Sequence, residues 1–81
     1  MITLSNFDVI KDNGDGCGNI LSYYGENTGY IYNIIPRMNH FAIVIDDLDE
    51  NGDAYCKAVY ESSSVSSAIA IVEAMENGEE V

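Results

Sequence analysis

Ten of the chain's fourteen carboxylates crowd into its second half, and this imbalance restricts how the chain can fold. Residues 1–38 carry four acids against Lys11 and Arg37, whereas residues 39–81 carry ten against Lys57 alone. A formal net charge of -11 over 81 residues opposes compaction through self-repulsion. A small soluble domain normally holds a net charge of roughly 2–8, with both signs interspersed. Any fold must therefore gather its apolar residues on one side of each element and hold the acids outside. A field so one-sided also steers the molecule toward cationic partners.

The apolar content suffices for this. The chain is 47% hydrophobic with six Tyr and two Phe, unlike a disordered acidic tail, which is poor in both aliphatics and aromatics. Residues 1–81 read as one small acidic domain. A domain of this length buries only about 60–65% of its unfolded surface, so its stability is expected to be marginal. The opening MITLSNFDVI has neither a basic segment nor a long apolar run, so no secretory leader is expected. No apolar run approaches the roughly 18 residues of a membrane span. Cys17 and Cys56 could pair, but two cysteines make a thin disulfide framework. Reduced thiols in a bacterial cytoplasm are the favoured reading.

Turn residues punctuate the chain. Residues 2–10 alternate loosely and predict a first strand, bulged where Phe7 and Val9 fall out of phase with Ile2 and Leu4. Residues 11–19, with three glycines among Asp and Asn, predict a loop. Residues 20–24 and 29–35 predict a hairpin, ended by Pro36, which has no amide to donate to a ladder. Residues 40–46 and 54–61 predict the clearest hairpin, with Phe41, Ile43 and Ile45 on one face. Asn51-Gly52 forms its turn, because both residues tolerate positive φ. Residues 62–78 predict a helix capped by one of Ser62, Ser63 and Ser64 and closed by Gly78. Its buried stripe is Val65, Ala68, Ile69, Val72 and Met75. The predicted fold class is α+β: an antiparallel sheet of four to five strands with one C-terminal helix packed on a face.

Two acidic clusters are the candidate partner-binding sites. Asp46, Asp47, Asp49, Glu50 and Asp53 gather at the hairpin tip, more acids than a turn requires. Glu73, Glu76, Glu79 and Glu80 stand at the helix C-terminus, where the macrodipole disfavours acids and no Lys or Arg pairs them. Glu73 and Glu76 are expected near an exposed flank, so Glu76→Lys is expected to stabilise the isolated domain slightly.

Other chemistries fit poorly. Asp47, Asp49, Asn51 and Gly52 match the start of a calcium loop, but Ala58 stands where its bidentate Glu belongs. The loop with Asp12, Asn13 and Asp15 lacks the pattern altogether. His40 is a lone histidine and no C-x-x-C is present, so no zinc site is expected. His40 has no partner in sequence that would make it a general base, and Cys17 has no basic neighbour to activate it. No catalytic residue, metal or cofactor is therefore expected. Outward-facing tyrosines would anchor a protein interface. Direct nucleic-acid binding is disfavoured by charge.

In size, acidity, tyrosine content and the hairpin-then-helix close, the chain resembles small phage-encoded anti-defence inhibitors of the anti-CRISPR and anti-restriction type. Several of these resemble nucleic acid in charge. The resemblance spans the whole chain and rests on no motif. It implies a non-enzymatic, stoichiometric inhibitor that occupies a basic nucleic-acid-binding surface of a host defence enzyme. Two other readings use the same features: an immunity or antitoxin-like inhibitor of a basic nuclease, and a small adaptor or metal-responsive domain.

Overall fold

The computed structural model describes residues 1–11 and 17–80. Five strands, β1 (Asp8–Ile10), β2 (Ile20–Tyr24), β3 (Ile31–Pro36), β4 (Phe41–Leu48) and β5 (Ala54–Ser62), precede one helix, α1 (Val65–Glu76). The strands form a single antiparallel sheet in the order β1-β2-β3-β4-β5. The fold is thus α+β. Among the described residues no helix is long and apolar enough to cross a membrane. Cys17 and Cys56 are not joined in a disulfide.

Alternation decides which face is buried. Tyr32 and Ile34 of β3 and Ile43 and Ile45 of β4 are fully buried against Ala68 and Val72 of α1. Phe41, Tyr60, Ala58, Leu21 and Tyr23 extend the same layer around them. Aromatic rings run across it: Phe7 lies 5.3 Å from Tyr23, and Tyr23 and Tyr30 each lie 6.2 Å from Tyr32. Tilted and edge-on pairs at these distances add about 0.5–1.5 kcal/mol each beyond their buried area.

Two local expectations are corrected. Residues 2–6 are not a strand. The Asn6 carboxamide accepts the Thr3 N–H at 2.8 Å, and Leu4–Asn6 coil into a 3-10 turn that delivers Phe7 into the core. Asn side chains compete for backbone donors in this way and so displace regular pairing. At the β4–β5 tip only Gly52 has positive φ, at 84°, rather than both residues of the Asn51-Gly52 pair. The Asp49 carboxylate instead accepts the Asn51 and Asp53 N–H groups at 2.8 and 2.9 Å. It holds a tight turn closed by the Gly52 N–H donating to the Asp49 carbonyl at 3.0 Å. The glycine-rich loop falls largely on residues 12–16, which lie outside the described residues; Asp12, Asn13 and Asp15 are among them.

Helix α1 starts where the serines allow. Ser64 is the N-cap, its hydroxyl accepting the Ser67 N–H at 3.1 Å. It ends in a Schellman motif, the Gly78 N–H donating to Met75 and the Glu79 N–H to Ala74, with Gly78 at φ 77°. Of the expected stripe, Ala68 and Val72 are fully buried, while Val65, Ile69 and Met75 are half-buried.

Because Ile43 is fully enclosed and Ile69 is not, their truncations should separate. Ile43→Ala should cost about 2–5 kcal/mol and Ile69→Ala distinctly less. Urea unfolding of both variants checks this; equal losses would mean that α1 sits deeper on the sheet than described.

Candidate functional site

In an antiparallel meander successive turns alternate between the two ends of the sheet. The register Tyr24↔Ile31↔Asp46↔Cys56 brings the β2–β3 turn and the β4–β5 tip to one end. Helix α1 starts after β5 at the opposite end and runs back, so its C-terminus arrives beside the β2–β3 turn. Three segments distant in sequence therefore share one end of the molecule. Exposed Glu50 and Asp53 come from the tip, exposed Glu79 and Glu80 from beyond α1, and exposed Glu26 from the β2–β3 turn. The other end carries Arg37 and His40 in the β3–β4 connection and Lys11 just past β1, with Glu61 of β5 3.4 Å from His40. Among the described residues the molecule is electrostatically polar along its strands.

Glu26 was not singled out by sequence reasoning, because it is an isolated acid in a predicted hairpin loop. Only the register shows that this loop joins the acidic end.

The candidate acids differ in availability. Asp46 is half-buried and accepts the Asn33 side-chain N–H at 3.4 Å. Asp47 is half-buried, accepting the Leu48 N–H at 2.8 Å and the Tyr55 hydroxyl at 3.5 Å. Asp49 is exposed, but its Oδ1 is committed to the turn. Glu73 accepts the Ile2 N–H at 3.0 Å, with the Met1 amine 3.9 Å away. Glu50, Asp53, Glu79 and Glu80 point into solvent.

Glu76 corrects the expectation most sharply. It is 7% exposed, not on an open flank, and it belongs to the core. Its Oε1 accepts the Tyr32 hydroxyl at 2.8 Å and also the Thr28 hydroxyl, and its Oε2 accepts the Asn27 N–H at 3.1 Å. The Asn27 side-chain amide donates to the Glu76 carbonyl at 3.3 Å, satisfying a group at the helix end. A buried carboxylate is tolerable when several donors saturate it, and here the donors outweigh the unfavourable dipole. Gly25 makes room for it: a Cβ there would overlap the Glu76 carboxylate and press on the Tyr32 ring. Spacing carried the missing signal, since Ala68, Val72 and Glu76 are four residues apart and continue one face.

Burial raises the Tyr32 hydroxyl well above the usual tyrosine range; its hydrogen bond to Thr28 lowers it, and Glu76 raises it again. Lys57, the cation of the second half, lies 5.3 Å over the Tyr30 ring, and His40 lies 3.4 Å from Glu61.

Comparison with protein-family models, curated proteins and solved structures returns no match for this chain. Fold and charge alone define its class: a small acidic antiparallel meander covered on one face by a helix.

Glu76→Lys should destabilise the domain rather than stabilise it. It would take the shared acceptor away from the Asn27 N–H and the Tyr32 and Thr28 hydroxyls and bury an ammonium beside them, a loss of about 3 kcal/mol or more. Thermal unfolding gives the sign directly, and a rise in Tm would mean that Glu76 is not locked. A second prediction concerns alkaline pH. The unfolded chain releases the Tyr32 proton near 10, while the folded chain holds it, so stability should fall as pH rises past that value. This slope should be shallower in Tyr32→Phe, measured as the urea midpoint against pH.

Proposed function

We propose that the protein is a stoichiometric inhibitor that occupies a basic nucleic-acid-binding surface of a host defence enzyme, in the manner of anti-CRISPR and anti-restriction proteins. The carrying observation is the convergence of Glu26, Glu50, Asp53, Glu79 and Glu80, with Asp47 beside them, at one end of the sheet. Three separate segments supply these acids; of the described cations, Lys11 and Arg37 lie at the far end, while Lys57 lies over the Tyr30 ring near the acids. A polar charge distribution of this kind orients an approaching basic partner before contact and raises the on-rate. The acids that act are those left in solvent. Glu76 and Asp49 support the reading only indirectly, by fixing the helix end and the tip that present the others. The protein itself does not bind nucleic acid, because its charge repels phosphate.

The immobilised protein should capture a basic nucleic-acid enzyme from bacterial lysate, and added DNA should compete it away. Capture unaffected by DNA, or none, would overturn the proposal. Against the captured partner, Glu50→Lys with Asp53→Lys should slow association about tenfold at low salt and less at high salt, because steering charges are screened. An unchanged rate would reduce the tip to a solvated turn.

A further inference from the structure

We infer that the sheet face turned away from α1 is the docking surface for the basic partner, which meets it with an apolar centre flanked by Lys or Arg. The inference rests on the function proposed above and names the surface that the partner covers. Strand alternation puts Ile31 and Ile35 of β3 and Val44 of β4 on that face, opposite the fully buried Tyr32, Ile34, Ile43 and Ile45. Ile10, Tyr24 and Val59 join them from β1, β2 and β5, at 47%, 62% and 55% exposure. The fold places its one helix on the other side. Five strands about 4.8 Å apart and about six residues long give a face of roughly 500 Å². The apolar side chains fill only part of that area, interspersed with Ser22 and Asn33, and a partly apolar exposed face on a small domain commonly marks an interaction site.

Charge selects the occupant. The same face carries exposed Asp8 and Glu61, the latter 3.4 Å from His40, and half-buried Asp46, which accepts from Asn33; they pair in register with Ser22, Ala42 and Ile31. The cation on these strands, Lys57, has its ammonium over Tyr30 on the helix side. A stable interface needs about 800 Å² from each partner, so whatever covers this face must reach past the apolar centre onto the acids. A second copy would bring the same acids against its own, adding -11 to -11. A surface with Lys or Arg around an apolar ridge pairs with both parts of the face.

The test is a combined methyl and backbone-amide NMR titration of the intact protein with a monomeric helical peptide bearing Leu along one face and Lys on its flanks. Two control peptides replace the Leu residues by Ser or the Lys residues by Glu. Saturable shifts are expected at Ile31, Ile35, Val44 and Val59, with both controls at least about tenfold weaker. Ile10→Ser with Val59→Ser, both at exposed positions and checked for unchanged Tm, should weaken the Leu–Lys peptide about tenfold. Equal affinity for the Ser control, or shifts confined to Glu50, Asp53 and Glu79, would overturn the inference and leave the acidic end as the interface. A peptide-free dimer in sedimentation whose contacts lie on this face would also overturn it, in favour of a second copy. Failure of every Lys-bearing peptide to bind would sink this inference alone, since the proposed function stands or falls on the DNA-competed capture.

Discussion

One carboxylate holds the two layers in a fixed relation. Glu76 ends the helix, and its oxygens take donors from Tyr32 in the middle of the sheet and from Asn27 and Thr28 in the β2–β3 turn. Without that anchor, the short helix of twelve residues would rest on Ala68, Val72 and a fringe of half-buried side chains. Apolar packing is non-directional and would allow the helix to slide. A carboxylate with three specific donors sets both its rotation and its register. The closeness of Gly25 is the steric counterpart, since the turn approaches the helix end only because no side chain intervenes.

The position of the helix end also determines where the charge lies. Because the last turn is tied to the β2–β3 turn, Glu79 and Glu80 emerge beside Glu26 and at the same end as the β4–β5 tip. The like charges that repel within this end are held together by a core formed from the opposite property, the run of Tyr and Ile side chains beneath α1. Acidic display and stability are therefore opposed in the same molecule, and the hydrogen-bonded lock offsets part of the repulsion.

Much of this was legible in the sequence, in the places where local chemistry decides structure. Gly, Asn, Asp and Pro marked the turns, and alternation placed Ile43 and Ile45 on the core face. The i, i+4 spacing of Ala68 and Val72 gave the helix its buried side, and Ser64 and Gly78 marked its ends. The losses have a common physical cause: a polar side chain whose role depends on a distant partner. Glu76 reads as a surface acid until Tyr32, Thr28 and Asn27 are brought to it. Asn6 reads as a strand residue until its carboxamide is seen on the Thr3 amide, and Asp49 reads as a ligand for partners although it is committed to its own turn. The charge total was plain from composition, but the convergence of Glu26 with the tip and the helix end required the strand register.

Strand β5 closes the sheet on one side with nine residues and, among the described residues, no strand beyond it. Free edges of that length recruit further strands and seed aggregation. Here the register shift between Ile45 and Asp46 breaks the regularity of the edge near its middle, Lys57 is set beside it, and the net charge of the whole chain keeps copies apart. The acidity that weakens the single fold therefore acts as colloidal protection for an otherwise adhesive border. That protection fades when acid neutralises the carboxylates or concentrated salt screens them, and the unpaired backbone groups of this edge are then left as a template for further strands.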